Sequence, residues 1–151
     1  MIRPSTPADI AAIHGCLRTE DIAEIKAISG NDPMFSLMYG HLHSAECVVG
    51  VGGDKIVMIA GVQGIPKTED AYVWMLCTPH IMSHKRELLT LGREWLDKQN
   101  KRYRVLRNVV DARNTVHIRL VTHMGFTFGD PIENYGAGRI TVIPFERVLN
   151  V

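Results

Sequence analysis

The chain is poor in the features that mark a protein's role at sight. Its 151 residues include 3 cysteines, and no two form a CxxC pair. That excludes an ordinary structural zinc site. His41-x-His43 could present two imidazoles, but no second pair accompanies it, so no metal centre is expected. Cys16, Cys47 and Cys77 each sit among apolar residues, which predicts three buried, reduced thiols in a reducing compartment. No apolar run approaches the roughly 20 residues of a membrane helix. The opening Met-Ile-Arg-Pro-Ser-Thr-Pro has no apolar signal core, so a soluble cytoplasmic protein is expected. Charge of one sign is missing too. With 17 Lys and Arg against 16 Asp and Glu, the chain lacks the basic excess of a general nucleic-acid binder.

What is present suits one domain over 1–151: 46% of the residues are hydrophobic, enough to bury a sizeable core. The balanced charge is unevenly placed. Residues 1–70 sum to −4 and residues 71–151 to +5, with eight basic residues between His84 and Arg107. That run is either a solvated helix face or a site for a phosphate-bearing ligand.

Ile2-Arg3-Pro4 predicts an opening strand. Thr6 then makes an N-cap, with Pro7 in the first helical position and Asp9 three residues after the cap. Ile10, Ile13 and Leu17, then Ile22, Ile25 and Ile28, predict one long or broken helix over 7–28. Met34, Leu37, Met38, His41 and Leu42 repeat at helical spacing. Cys47–Val51 and Lys55–Ala60 flank Gly52-Gly53-Asp54, a hairpin signal. A strand over Ala71–Thr78 precedes a long helix capped by Ser83 and closing near Asn100. A strand Val105–Val110, a helix Asn114–Met124 and strands near Phe126–Phe128 and Arg139–Phe145 complete the chain. The last two flank a turn-rich segment with Gly136 and Gly138. The order β-αα-βββ-α-β-α-ββ is an α/β chain with a mixed sheet, helices on both faces and one parallel pair at 71–110.

That order, with Asn114-Thr-Val-His117-Ile-Arg119-Leu-Val121-Thr-His-Met124-Gly125-Phe126, resembles the GNAT family of N-acetyltransferases. Its second motif has an Asn, a small residue three later, a Tyr seven later and a closing Gly-Phe. Asn114, Gly125 and Phe126 match; Val121 stands where the Tyr is usual. Ile2-Arg3-Pro4 and Asp9-Ile10 also look like the family's opening. The Asn-Thr-x-His-Ile-Arg run is similar to the small acetyltransferase-like proteins of T7-like short-tailed phages, associated with particle morphogenesis or host takeover. The family's cofactor loop carries an Arg/Gln-x-x-Gly-x-Gly/Ala pattern, whereas Pro79–Glu87 has no glycine.

The resemblance implies a GNAT-like acyl-CoA N-acyltransferase fold and acetyl-CoA as donor. The acceptor would be an amine of a small molecule or a host protein, and a homodimer is compatible. It places Ser83, His84, Lys85 and Arg86 at the pyrophosphate, where a helix N-terminus attracts anions. It puts the backbone N–H groups of Leu76, Cys77 and Thr78 at the developing oxyanion. Asn114, His117, Val121 and Met124 share one helix face, so Asn114 faces the cofactor and His117 stands ready as the acid or base in place of the Tyr. His80, after Pro79, is a second candidate base. Glu46, Glu69 and Asp70 are candidates to border an acceptor site, and Arg119 points off that helix face. The rival reading is a GNAT-shaped protein that acts by binding another protein and has lost catalysis.

Overall fold

The structure is a computed structural model and describes residues 1–148. Strand β1 (Ile2–Pro4) leads into α1 (Pro7–His14), α2 (Thr19–Ser29) and α3 (Pro33–His43). Strands β2 (Glu46–Gly52), β3 (Lys55–Gly64) and β4 (Ala71–Cys77) follow. Then come α4 (Ile81–Arg102), β5 (Val105–Asp111), α5 (Thr115–His123), β6 (Thr127–Phe128), β7 (Ile132–Tyr135) and β8 (Ile140–Val148).

The first helix starts as its residues dictate. Thr6 accepts the Asp9 N–H while the Asp9 carboxylate accepts the Thr6 N–H at 2.8 Å, a reciprocal capping box with Pro7 in the first turn. Arg3 donates twice to the same carboxylate, at 2.7 and 2.8 Å, tying β1 to α1. Hydrogen bonding from Arg3, against the cost of burial, holds Asp9 at a pKa of about 2. A depressed carboxyl pKa stabilises the fold above the unfolded value of 3.8, and the gain is lost as pH falls toward about 2. Urea unfolding at pH 5 and pH 2 should therefore differ by about 2 kcal/mol from this group. Asp9→Asn should remove that share of the acid sensitivity; an unchanged acid slope in the variant would refute the assignment.

The apolar run expected over 7–28 is broken. A turn at Gly15–Arg18 separates α1 from α2, and Gly30 closes α2 with a left-handed φ of 72°. Asp32 caps α3, and Pro33 occupies its first position. The hairpin forms where expected, with β2 and β3 joined through Gly52 and Gly53.

The sheet runs β1-β2-β3-β4-β5-β8-β6, with β7 paired to β8. Among the described residues only β4 and β5 are parallel, as the strand-helix-strand order of 71–110 requires. Strand alternation divides the core. Val49, Ile59 and Leu76 meet Ile10, Ile13 and Leu37 of the first helices. Val48, Met58 and Cys77 meet Ile81 and Leu88 of α4 on the opposite face.

Three expectations change. Strand β7 lies inside the segment read as turn-rich. Its four residues are mostly exposed, so they carry no alternating apolar pattern. The turn after β7 docks on α2: the N–H groups of Ala137 and Gly138 donate to Ile28 and Ala27 carbonyls. A side chain at Gly136, whose φ is 71°, would meet the Ile28 oxygen at 2.5 Å. Second, α4 begins at Ile81, not after Ser83. Tight turns from Thr78, Pro79 and His80 start it early, and His84 breaks the helical angles because its ring packs flat on Gly52. Third, only Cys77 is buried; Cys47 is half-buried and Cys16 is exposed at the α1–α2 turn. All three thiols are free.

Candidate active site

The sheet opens between its two parallel strands. β4 and β5 pair at Ala71–Leu106 and Tyr72–Arg107, and then diverge. Asn108 makes one last link across the gap: its Nδ2 donates to the Val73 carbonyl at 2.7 Å while its Oδ1 accepts the Val109 N–H. Beyond that wedge lies a cavity of about 240 Å³, walled mainly by apolar side chains. Val73 and Met75 of β4, Asn108 and Val109 of β5, and His117 and Val121 of α5 all reach it.

Backbone direction along β4 follows from the ladder. In an antiparallel pair, successive residues turn N–H and C=O to opposite edges. The Cys77 N–H faces away from β3, donating to Asp21 Oδ2 at 2.9 Å, and the Val73 carbonyl also faces away, accepting from Asn108. Met75 lies between them in the alternation, so its N–H and C=O face the gap.

The upper end of the gap is spanned by α2. Asp21 takes the Cys77 N–H, the Asn114 amide at 3.0 Å and the Arg18 guanidinium at 3.2 Å. The Arg18 N–H donates to the Cys77 carbonyl. One turn along, Glu24 Oε1 accepts the Asp111 N–H at the end of β5, and Glu24 Oε2 meets His117 Nδ1 at 3.1 Å. Two carboxylates three residues apart on one helix thus hold the ends of the two diverging strands. Arg18, Asp21, Glu24, Asn114 and His117 are all buried. Burial raises the Asp21 pKa, and His117, the Cys77 amide, Asn114 and Arg18 pull against that rise. Asp21, Glu24 and His117 bring donor atoms within 4.8 Å of one another. The oxygens of both carboxylates already face N–H donors, so the cluster has the chemistry of a hydrogen-bonded dyad with a supporting acid.

The expected site residues separate into three groups. His117 and Asn114 come together in this cluster, as α5 capped by Asn114 requires. The backbone amides of Leu76, Cys77 and Thr78 do not form an oxyanion pocket. Leu76 pairs with Ile59 of β3, Cys77 is held by Asp21, and the Thr78 N–H donates to the Val57 carbonyl. Burial also pushes the Cys77 thiol far above its ordinary range, so it is no nucleophile. Ser83, Lys85 and Arg86 are exposed on the first turns of α4, and no ion pair engages Lys85 or Arg86 among the described residues. His84 is half-buried on Gly52 instead of facing outward with them. His80 lies exposed on the turn before α4, away from the cavity walls, because the chain bends tightly at Pro79.

The basic run is largely spent on structure. Lys98 and Arg102 pair with Glu46, and Arg104 and Arg107 with Asp70. The acidic first half and basic second half therefore neutralise each other across the fold, with Glu46 and Asp70 engaged by cations of the chain itself. Glu69 and Arg119 are exposed. Sequence reading missed Asp21, Glu24, Asn108 and Met75. The available signal was that Asp21 and Glu24 fall in phase with Ile25 and Ile28, where an exposed acid would be out of place.

No family model and no curated protein matches the sequence. Solved structures do match along the whole chain. An acetyltransferase of the GNAT family from Streptococcus pneumoniae superposes with a TM-score of 0.66 at 15% identity, covering 99% of each chain. The chain has the GNAT fold. A chimera of the spermidine N-acetyltransferase from Vibrio cholerae with a second acetyltransferase sequence gives 0.71 at 18% identity, over 98% of this chain and 94% of that one. A ribosomal-protein-alanine N-acetyltransferase from Brucella melitensis gives 0.69 at 15%, over 99% of both. The upper end of the gap between β4 and β5 is held by α2, and among the described residues no helix is long and apolar enough to cross a membrane.

Proposed function

We propose that the chain is an acetyl-CoA-dependent N-acetyltransferase, acting in the cytoplasm on an amine of a small molecule or a protein. The observation that carries this reading is the cleft between β4 and β5, with His117 on its wall one helical turn from Val121. Acetyl-CoA, when bound, supplies the activated acetyl thioester. The chain's own groups suit it in three places. Lys85 and Arg86, at the positive end of α4, would hold phosphate. The Met75 N–H, turned into the gap, would donate to the thioester carbonyl as charge develops on its oxygen. The apolar walls would exclude water from the acyl group. His117 would take the amine proton and return a proton to the departing sulfur, the role for which Val121 has no group.

A second reading is supported by the Cys77 backbone. Its N–H and C=O are both taken, by Asp21 and the Arg18 N–H, so α2 occupies the β4 edge a ligand's amides would use. With Val121 and a glycine-free loop, this favours a GNAT-fold protein that binds another protein, as in phage morphogenesis or host takeover. Titration calorimetry with acetyl-CoA separates the two. Micromolar binding, about −8 kcal/mol, is expected for the transferase. Absence of heat at millimolar ligand would overturn it and leave the protein-binding role.

A further inference from the structure

Glu24 is the buried acid the mechanism above leaves without a task. It lines the same cavity as His117. Its two oxygens are divided: Oε1 accepts the Asp111 N–H at 2.6 Å, and Oε2 lies 3.1 Å from His117 Nδ1. As a carboxylate it can only accept, so Nδ1 must carry the ring proton. The other ring nitrogen, Nε2, has no protein partner among the described residues. Because His117 is itself a cavity wall, Nε2 is the basic lone pair left for a guest.

We infer that Glu24 is a positioning residue, fixing His117 in the tautomer that presents a bare Nε2 to the cleft. This rests on the acyl-transfer reading proposed above. In that reaction His117 Nε2 accepts the proton of the attacking amine as the N–C bond forms and the C–S bond breaks. The imidazolium then returns a proton to the thiolate, so the ring ends as it began. Between those moments it carries a positive charge in a buried site. Two carboxylates face that charge, Glu24 directly and Asp21 beside it, with Arg18 and Asn114 turned to Asp21. A buried imidazolium is stabilised by such an oriented acid, and the same acid prevents the ring from flipping.

Glu24→Gln tests this with little change of shape. The glutamine carbonyl must stay on the Asp111 N–H, since two N–H groups cannot face each other there. Its NH2 then points at Nδ1, which must accept, and the ring proton moves to Nε2. Nitrogen-15 NMR of labelled histidine should show His117 protonated at Nδ1 in the wild type and at Nε2 in Glu24→Gln. Turnover should fall by about 100-fold or more, while acetyl-CoA affinity stays within about threefold, under 1 kcal/mol. An Nε2-protonated wild-type ring, or a variant that keeps the wild-type tautomer, would overturn the inference. If the tautomer switches but the wild type transfers no acetyl group, the transferase reading falls while the positioning of His117 by Glu24 stands.

Discussion

Asp21→Ala should cost about 3–5 kcal/mol of folding stability, the largest loss expected from a single polar side chain in this molecule. The reason is the number of donors it serves. Removing the carboxylate leaves the Cys77 N–H, the Asn114 amide and the buried Arg18 guanidinium facing a small void. Arg18 is then a buried cation whose remaining carboxylate partner, Glu20, is 60% exposed at the helix surface. Asp21→Asn should recover little, because both oxygens accept and an NH2 would face a donor. Thermal unfolding should drop on the order of 10 °C for a domain of this size. A double variant with Arg18→Met should lose less than the sum of the two single changes, since the second change removes the stranded charge. A loss below about 1 kcal/mol for Asp21→Ala would mean that water satisfies these groups, and that the α2 contact is not a structural strut.

His117→Ala should lower acetyl transfer by roughly 10²–10⁴-fold, the range for loss of a positioned acid or base. Acetyl-CoA affinity should change little, because the residues proposed to hold its phosphates lie on α4 and not on α5. The substitution also frees Glu24 Oε2 in a buried place, at a cost of about 1–3 kcal/mol. His117→Gln supplies the control, since its amide can still donate to Glu24 but takes no proton at neutral pH. Steady-state rates for both variants, beside urea curves, separate chemistry from folding. A His117→Gln enzyme with wild-type turnover would remove the ring from the mechanism.

The parts of this fold legible in the sequence are those with local causes. Thr6, Pro7 and Asp9 announce a helix start because their side chains act within four residues of one another. Gly52 and Gly53 announce a hairpin for the same reason. A strand, a long amphipathic helix and another strand imply the one parallel pair, because only a crossover can join them. Asn114 and His117 emerged from the resemblance of this segment to the GNAT second motif, and helical spacing put them on one face. The features that stayed hidden depend on partners far along the chain. Asp21 meets Asn114 across 93 residues and Glu24 meets Asp111 across 87, and an acid in a helix's first turn reads as an ordinary favourable charge. Lys98 and Arg107 fit a solvated face and a phosphate site equally well until Glu46 and Asp70 are seen beside them. The resemblance put the Cys77 amide at an oxyanion; only the position of α2 shows that Asp21 already takes it.

The cavity between β4 and β5 has one more consequence. The chain contains 2 tryptophans, Trp74 and Trp95, and both indoles form part of its wall. Trp74 packs against Gly40 and Gly61, where any side chain would strike its ring, and donates to Ser44, while Trp95 donates to Glu46, so neither ring is free to wander. The molecule's entire indole emission therefore originates beside the cleft, and a guest entering it is expected to alter the colour or intensity of that light without any label being added.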